Sequence, residues 1–400
     1  MSTLNQTNIH IIQNDQEAIN AAYQVADFAL EQRDLRDQQR ILPTDVIQKL
    51  TQKGLIGIRI PKQYGGAFVS NKTLSHVFRI LAKADANVGQ IPQNQFGVLN
   101  LIELLGTEQQ KSWVYQQILA GRFLANAGPE RQSKDTKTLH TTLSLINDQY
   151  FLTGEKFYST GSSFADLLAV KALHPEGHVV LVLVEREQAG VEVIDDWNGF
   201  GQRTTSSGTV RLHQVQVNPE LIFDERKLTT QPSYRGAYSQ LLQVAIDVGI
   251  AEAAFSDTIS AVKRARPIVD AQVEKASFEH YTLQEVGKSI VLLDAAILLL
   301  DEAAEYLDLL DQLDSITDQH AAQASIAVAE AKVYANDAAL HISEKLLELG
   351  GSRSSLSQHN LDQHWRNARV HTLHDPVRWK LHALGDYYLN HTLPARHAWI

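Results

Sequence analysis

The stretch WRNARVHTLHDPVRWK, Trp365–Lys380, sets three arginines, two histidines three residues apart and an Asp-Pro step within sixteen residues. Proline disfavours helix at the residue before it and cannot continue one. Asp375-Pro376 therefore predicts a polar turn carrying His371, His374 and Asp375 between two helical segments. Such a density of donors, acceptors and charge suits a turn that aims side chains into a cleft.

Upstream of this turn the pattern is helical. Three long apolar-periodic stretches are predicted as helices over about Gly236–Arg264, His280–Leu313 and Gln319–Leu349, with a last helix beginning near Trp379. Ser289–Tyr306 is apolar on most of its circumference, which requires cover from more than one partner. From Phe123 to about Asp224 the period changes to two. Strands are predicted at His140–Ile146, Tyr150–Leu152, Leu167–Lys171, Val179–Val184 and Thr209–Val217, between turn residues such as Asn147-Asp148 and Pro175-Glu176-Gly177. From about Gln16 to Gly121 the pattern is helical again, with helices expected over Ala18–Arg36, Pro43–Lys53, Thr73–Leu81 and Val98–Leu105. The amide-rich DANVGQIPQNQFG, from Asp85, reads as a connecting loop.

The expected organisation is thus a loose N-terminus over 1–15, an N-terminal helical domain over 16–122, a central β domain over 123–228 and a C-terminal helical bundle over 229–400. The class is α+β and multidomain, with a small β-barrel or sandwich in the middle and a four-helix bundle at the end.

Composition narrows the function. A net charge of −10 opposes nonspecific binding to nucleic acid. No apolar run reaches the length of a membrane span and the first residues lack a signal-peptide pattern, so a cytoplasmic protein is expected. Cysteine is absent, which excludes disulfides, thiolate metal sites and a cysteine nucleophile. The single methionine is the first residue, and loss of this useful core filler from every internal apolar position reads as avoidance of sulfur. Such a protein suits production when sulfur is scarce. His371 and His374 lack a second ligand pair and the bundle lacks Glu-x-x-His pairs, so no metal is expected.

The run HTLHDP, together with IPKQYGG (Ile60–Gly66), FLANAGPER (Phe123–Arg131), LTGEKFYSTGSSFAD (Leu152–Asp166) and Gly201–Ser207, resembles the acyl-CoA dehydrogenase superfamily. Within it the chain is similar to the flavin-dependent monooxygenase branch, which includes dibenzothiophene monooxygenase and the sulfone monooxygenases of sulfur acquisition. The order helices, strands, helices is that superfamily's order and covers nearly the whole chain.

The resemblance implies FMN as cofactor, supplied reduced by a separate reductase, and a homotetramer. It implies a C4a-(hydro)peroxyflavin that oxygenates a small organosulfur compound, first of all a sulfone. Implied catalytic residues are His374, Thr160 and His371. Implied flavin contacts are Asn126, Tyr158, Ser159, Thr160, Arg369 and His374, with Arg266 reaching phosphate from a neighbouring subunit. Gln90, Gln93 and Asn94 are expected to line the substrate pocket. Dibenzothiophene monooxygenase has histidine where this chain has Gln90 and tyrosine where it has Asn94, so a smaller or more polar substrate is expected.

The dehydrogenases carry Glu-Gly-Thr where this chain has His374-Asp375-Pro376, and no glutamate lies between Arg226 and Ala251 to replace that base. This disfavours an acyl-CoA dehydrogenase or oxidase with FAD. An amine N-hydroxylase of the same fold and a noncatalytic flavin-binding relative are also compatible with these residues.

Overall fold

A computed structural model describes residues 9–133 and 138–400. Seven helices come first: α1 (Asp15–Leu30), α2 (Arg33–Gln39), α3 (Thr44–Gln52), α4 (Asn71–Ala84), α5 (Ala86–Gln90), α6 (Gln93–Leu105) and α7 (Glu108–Leu119). Eight strands follow: β1 (Leu124–Ala127), β2 (Thr142–Ile146), β3 (Gln149–Lys156), β4 (Leu167–Leu173), β5 (Val179–Glu185), β6 (Val191–Ile194), β7 (Thr209–Val217) and β8 (Ile222–Asp224). Five helices complete the chain: α8 (Arg235–Arg264), α9 (His280–Leu310), α10 (Asp318–Leu349), α11 (Asp362–His371) and α12 (Arg378–Asn390).

The strands form one mixed sheet in the order β6-β7-β3-β2-β4-β5-β8, and β1 pairs in parallel with β4. α8 is the spine, buried on most of its circumference between α4 and α10. α9 buries a single face, from Ser289 through Leu293, Ala296, Leu300 and Ala304, and leaves Val291 and Leu298 exposed.

Three expectations are corrected. The single helix over Ala18–Arg36 is two, separated after Leu30, and the turn into α2 lets the Arg36 guanidinium reach back to the Ala29 carbonyl and to Asp85. The amide-rich segment from Asp85 is helical and buried, because the Asp85 carboxylate accepts the Asn87 N–H at 3.0 Å and so caps α5. Residues 9–14, expected to be loose, are held: His10 N–H donates to the Gln52 carbonyl at 2.9 Å and Ile12 is buried. Residues 1–8 of that expected segment lie outside the described residues.

The loop after β1 is fixed by a buried ion pair. The Glu130 carboxylate accepts from Lys156 Nζ at 2.6 Å, from Thr141 Oγ1 at 2.8 Å and from the His140 and Thr141 backbone N–H groups. Lys156 also donates to the Gly128 carbonyl at 3.1 Å. Burial pushes the Glu130 carboxyl up, but these hydrogen bonds outweigh it and hold the group down at about 2. Burial likewise pushes the Lys156 ammonium down, to about 8, against the pull of Glu130.

Removing one partner leaves the other charge buried. Lys156→Met is expected to cost about 3–5 kcal/mol, read from the urea midpoint, and adding Glu130→Gln should return much of it. Equal loss in the single and double variants would show that the pair does not hold the loop.

Candidate active site

Three segments converge where the sheet meets the helices. The loop 199–208 between β6 and β7 lies against α5 and α11. Gln202 N–H donates to Asn367 Oδ1 at 2.7 Å, Thr204 N–H donates to Asn87 Oδ1 at 3.1 Å, and Trp197 Nε1–H donates to the Gln202 carbonyl at 2.7 Å. Gly201 permits the approach, since a Cβ there would lie 1.9 Å from the Arg366 carbonyl oxygen. The segment after β3 joins this loop through hydroxyls: Thr160 Oγ1 and Ser207 Oγ are 2.8 Å apart, and Ser207 Oγ and Thr205 Oγ1 are 2.8 Å apart. Gly161, in the left-handed region at φ 83°, turns the chain beside Ile91, the residue after Gln90.

The third segment is the end of α11 and the turn after it: α11 ends at His371, α12 starts at Arg378, and His374 and Asp375 lie between as expected, whereas His371, expected in the turn, is the last residue of the helix. His371 is fully buried. Its Nδ1 is 2.5 Å from Asp247 Oδ1 of α8, and its Nε2 is 3.0 Å from Gln90 Oε1 of α5. Lys332 of α10, also buried, donates to Asp247 Oδ2 at 2.7 Å. Burial pushes the Asp247 carboxyl up, but Lys332 and His371 outweigh it and hold the carboxyl down at about 2.

His374 closes the chain. Its Nδ1–H donates to the His371 carbonyl at 2.7 Å, and its Nε2 lies 3.3 Å from Gln90 Nε2. Solvent reaches the ring, yet the surrounding protein mass pushes it down to about 4, with the neighbouring His371 adding to the effect. At neutral pH His374 is an uncharged imidazole.

The other expected site residues fall in different surroundings. Gln93 is buried and donates to the Ser239 carbonyl at 3.3 Å, whereas Asn94 beside it on α6 is half-buried. Gln95, the next amide along α6, is structural: its side chain joins the Ile56 carbonyl to the Leu124 N–H. Tyr158 is half exposed in the left-handed region at φ 61°, edge-on to Phe157 and Trp197. Asn126 on β1 is half-buried, with its carboxamide beside Gly128. Arg266 is exposed beyond the end of α8.

Several buried polar atoms of these segments lack partners among the described residues, Gln202 Oε1, Thr204 Oγ1 and Asp375 Oδ1 included, and two of the donors lie on residues expected to touch flavin. Ser159 Oγ is fully buried with no hydrogen-bond partner among the described residues, and Arg369 Nε is in the same position although its Nη2 donates to Thr372 Oγ1 at 2.9 Å. A buried hydroxyl and a guanidinium edge without acceptors fit a ligand rich in carbonyl and phosphate oxygens, as a flavin nucleotide is.

Sequence reasoning missed Asp247 and Lys332. Asp247 is the lone charge in the apolar helix run LLQVAIDVGIA, whereas Lys332 shares IAVAEAKVYA with Glu330, and neither run points to the other.

The fold and the polar cleft define a flavoprotein of acyl-CoA dehydrogenase type. The acyl-CoA dehydrogenase N-terminal domain matches residues 14–122 and the C-terminal domain matches residues 241–379. A dibenzothiophene monooxygenase of Rhodococcus erythropolis is 30% identical over 364 residues, 87% of each chain. A probable FMNH2-dependent monooxygenase, SfnC of Pseudomonas putida, is 29% identical over 381 residues, 94% of each. FMN-bound TdsC from Paenibacillus sp. A11-2 superposes with a TM-score of 0.91 at 28% identity, over 96% of this chain and 100% of that one. Methanesulfinate monooxygenase MsuC from Pseudomonas fluorescens gives a TM-score of 0.87 at 27% identity, over 96% and 99%. The chain belongs to the flavin-dependent monooxygenase branch of the acyl-CoA dehydrogenase superfamily.

The depressed His374 makes a stability prediction with a definite sign. An unfolded histidine takes up its proton near 6.5 and this folded ring only near 4, so the unfolded state binds more protons between those values. The contribution of the neutral ring is complete above pH 6.5 and is lost as the pH falls from 6.5 towards 4. His374→Gln should flatten the decline of the urea midpoint across that window, by a modest amount because water reaches the ring. An unchanged slope would refute the depressed value.

Proposed function

We propose that this protein is the oxygenase component of a two-component system: it takes reduced FMN from a separate reductase and uses O2 to oxygenate a small organosulfur compound in the cytoplasm. The observation that carries the reading is the position of His374 on the turn, held by the His371 carbonyl and facing Gln90, where the nearby carboxylates are buried beside cations. Asp247 is buried between Lys332 and His371, and Asp375 is buried with Oδ2 2.8 Å from Lys380 Nζ and Oδ1 unpartnered among the described residues. α-Proton abstraction from an acyl thioester needs a free carboxylate within reach, which argues against a dehydrogenase.

When bound, reduced FMN supplies the activation of O2 and the transfer of one oxygen atom, the other leaving as water. The chain supplies position and proton control. Ser159 and Thr160 would hold polar edges of the flavin, Asn126 would orient it, and the unpartnered edge of Arg369 would meet it from the α11 side. Tyr158 would cover it with its exposed ring. His374, neutral with a hydrogen on Nδ1, can accept a proton at Nε2 and return it, and buried His371 fixes its orientation through the backbone carbonyl.

Gln93 and Asn94 on α6 line the substrate side with amides, which suits a small polar substrate such as a sulfone. Methanesulfinate, named for MsuC, is of that size. Gln90 differs from the expectation of a free pocket amide, because both ends of its side chain already meet histidines.

Assembly completes the proposal. Arg266, exposed beyond α8, would reach the flavin phosphate of a neighbouring subunit in a homotetramer. The uncovered apolar residues Val291 and Leu298 of α9 and Trp379 and Leu389 of α12 are in keeping with such packing. No helix among the described residues is long and apolar enough to cross a membrane.

The test is turnover of dimethyl sulfone with reduced FMN under labelled O2, with one labelled oxygen expected in the product. His374→Ala should lower the rate by about 10²–10⁴-fold without abolishing FMN binding. Anaerobic bleaching of the flavin by an acyl-CoA thioester, with every small sulfone, sulfinate and sulfonate left untouched, would overturn the reading in favour of a dehydrogenase.

A further inference from the structure

The buried chain from Lys332 to His374 contains a constraint that follows from counting donors and acceptors. His371 Nδ1 faces the Asp247 carboxylate, which only accepts, so it carries a hydrogen. His374 Nδ1 faces the His371 carbonyl, which also only accepts, so it carries one too. The remaining ring nitrogens, both Nε2, face the two ends of a single amide, that of Gln90, at 3.0 Å and 3.3 Å.

An amide has one donating end and one accepting end. It cannot satisfy two bare nitrogens, nor two N–H groups. With both contacts made as hydrogen bonds, one Nε2 of the pair carries a hydrogen and the other does not, whichever way Gln90 is turned. With the Gln90 oxygen towards His371, that hydrogen is on His371. With the amide turned over, it is on His374.

We propose that Gln90 couples the two histidines into a single-proton site, in which the Asp247 carboxylate, itself oriented by Lys332, holds the shared proton on buried His371 and leaves the exposed His374 with a bare Nε2. Gln90 and Asp247 are positioning residues: they act through the histidines. Protonation of His374 then requires the Gln90 amide to turn over and His371 to give up its Nε2 hydrogen, so the two rings titrate as a pair.

The charges around the pair favour this resting arrangement. α8 brings Asp247, next to His371, and α10 brings Lys332, which adds to the depression of His374. α5 brings no ionisable side chain, and on the α12 side Asp375 and Lys380 neutralise each other. Arg369, within α11, donates to Thr372. His371 is thus the ring bonded to a carboxylate, and His374 has none beside it.

The inference deepens the proposed oxygenase reading, because it says where the proton exchanged by His374 is kept. Its test needs no flavin. In ¹⁵N-histidine NMR spectra of the flavin-free protein at pH 7, His371 should show hydrogens on both ring nitrogens and His374 a hydrogen on Nδ1 only. Gln90→Glu, close in shape but accepting at both ends, should place hydrogens on both Nε2 atoms and raise the His374 midpoint by about 1–3 pH units. Asp247→Asn should remove the second hydrogen from His371.

A His371 with one bare ring nitrogen in the wild type would overturn the proposal, as would a His374 midpoint unmoved by Gln90→Glu. If Asp247→Asn fails to fold, the wild-type spectrum and the Gln90 variant still decide. Failure of sulfone turnover would leave these spectra unaltered, so the two readings fail separately.

Discussion

Asp247 is the interaction on which the site depends. A carboxylate buried at the middle of α8 is costly unless it is paired and hydrogen-bonded, and here one oxygen takes the Lys332 ammonium and the other the His371 ring. The three residues come from α8, α10 and the end of α11, so the same contacts that solvate the charge tie the C-terminal turn to the helical spine. The end of α11 therefore hangs from a fixed point, and His374 is tied to it through the His371 carbonyl.

A second constraint aligns the sheet with this fixed point. The loop 199–208 is bonded to α5 through Asn87 and to α11 through Asn367, and it receives Thr160 through the row of hydroxyls at Ser207 and Thr205. α5 itself is capped by Asp85, which in turn pairs with buried Arg36. Side chains from the N-terminal helices, the sheet and the C-terminal helices are thus placed by backbone-directed hydrogen bonds rather than by apolar contact alone. Such bonds are directional, so they fix angles as well as distances.

Much of this was legible in the chain. The period change at Phe123 located the sheet, the Asp-Pro step located the turn, and the two histidines stood out by spacing. What escaped has a common cause. Asp85 caps a five-residue helix through its side chain, an effect invisible to hydrophobic periodicity, so a buried helix read as a wet loop. Asp247 and Lys332 are 85 positions apart and meet only when α8 and α10 pack, so nothing local to either announces the pair. The short strands β6 and β8 were missed because three- and four-residue segments carry too little alternation to register. Gln90 was recognised as unusual, but its double engagement follows from tertiary contacts with a turn 281 and 284 positions away.

Gly201 shapes what such a scaffold can become. The backbone of its loop lies so close to Arg366 that no side chain fits between them. Two walls of the cleft are therefore closed to gradual change: any residue added at the seam would force the loop and α11 apart together. The α6 side is different, since Asn94 there is half-buried and takes no part in that lattice. A single amide could be exchanged there without parting the loop from α11 or loosening the histidine end from Asp247.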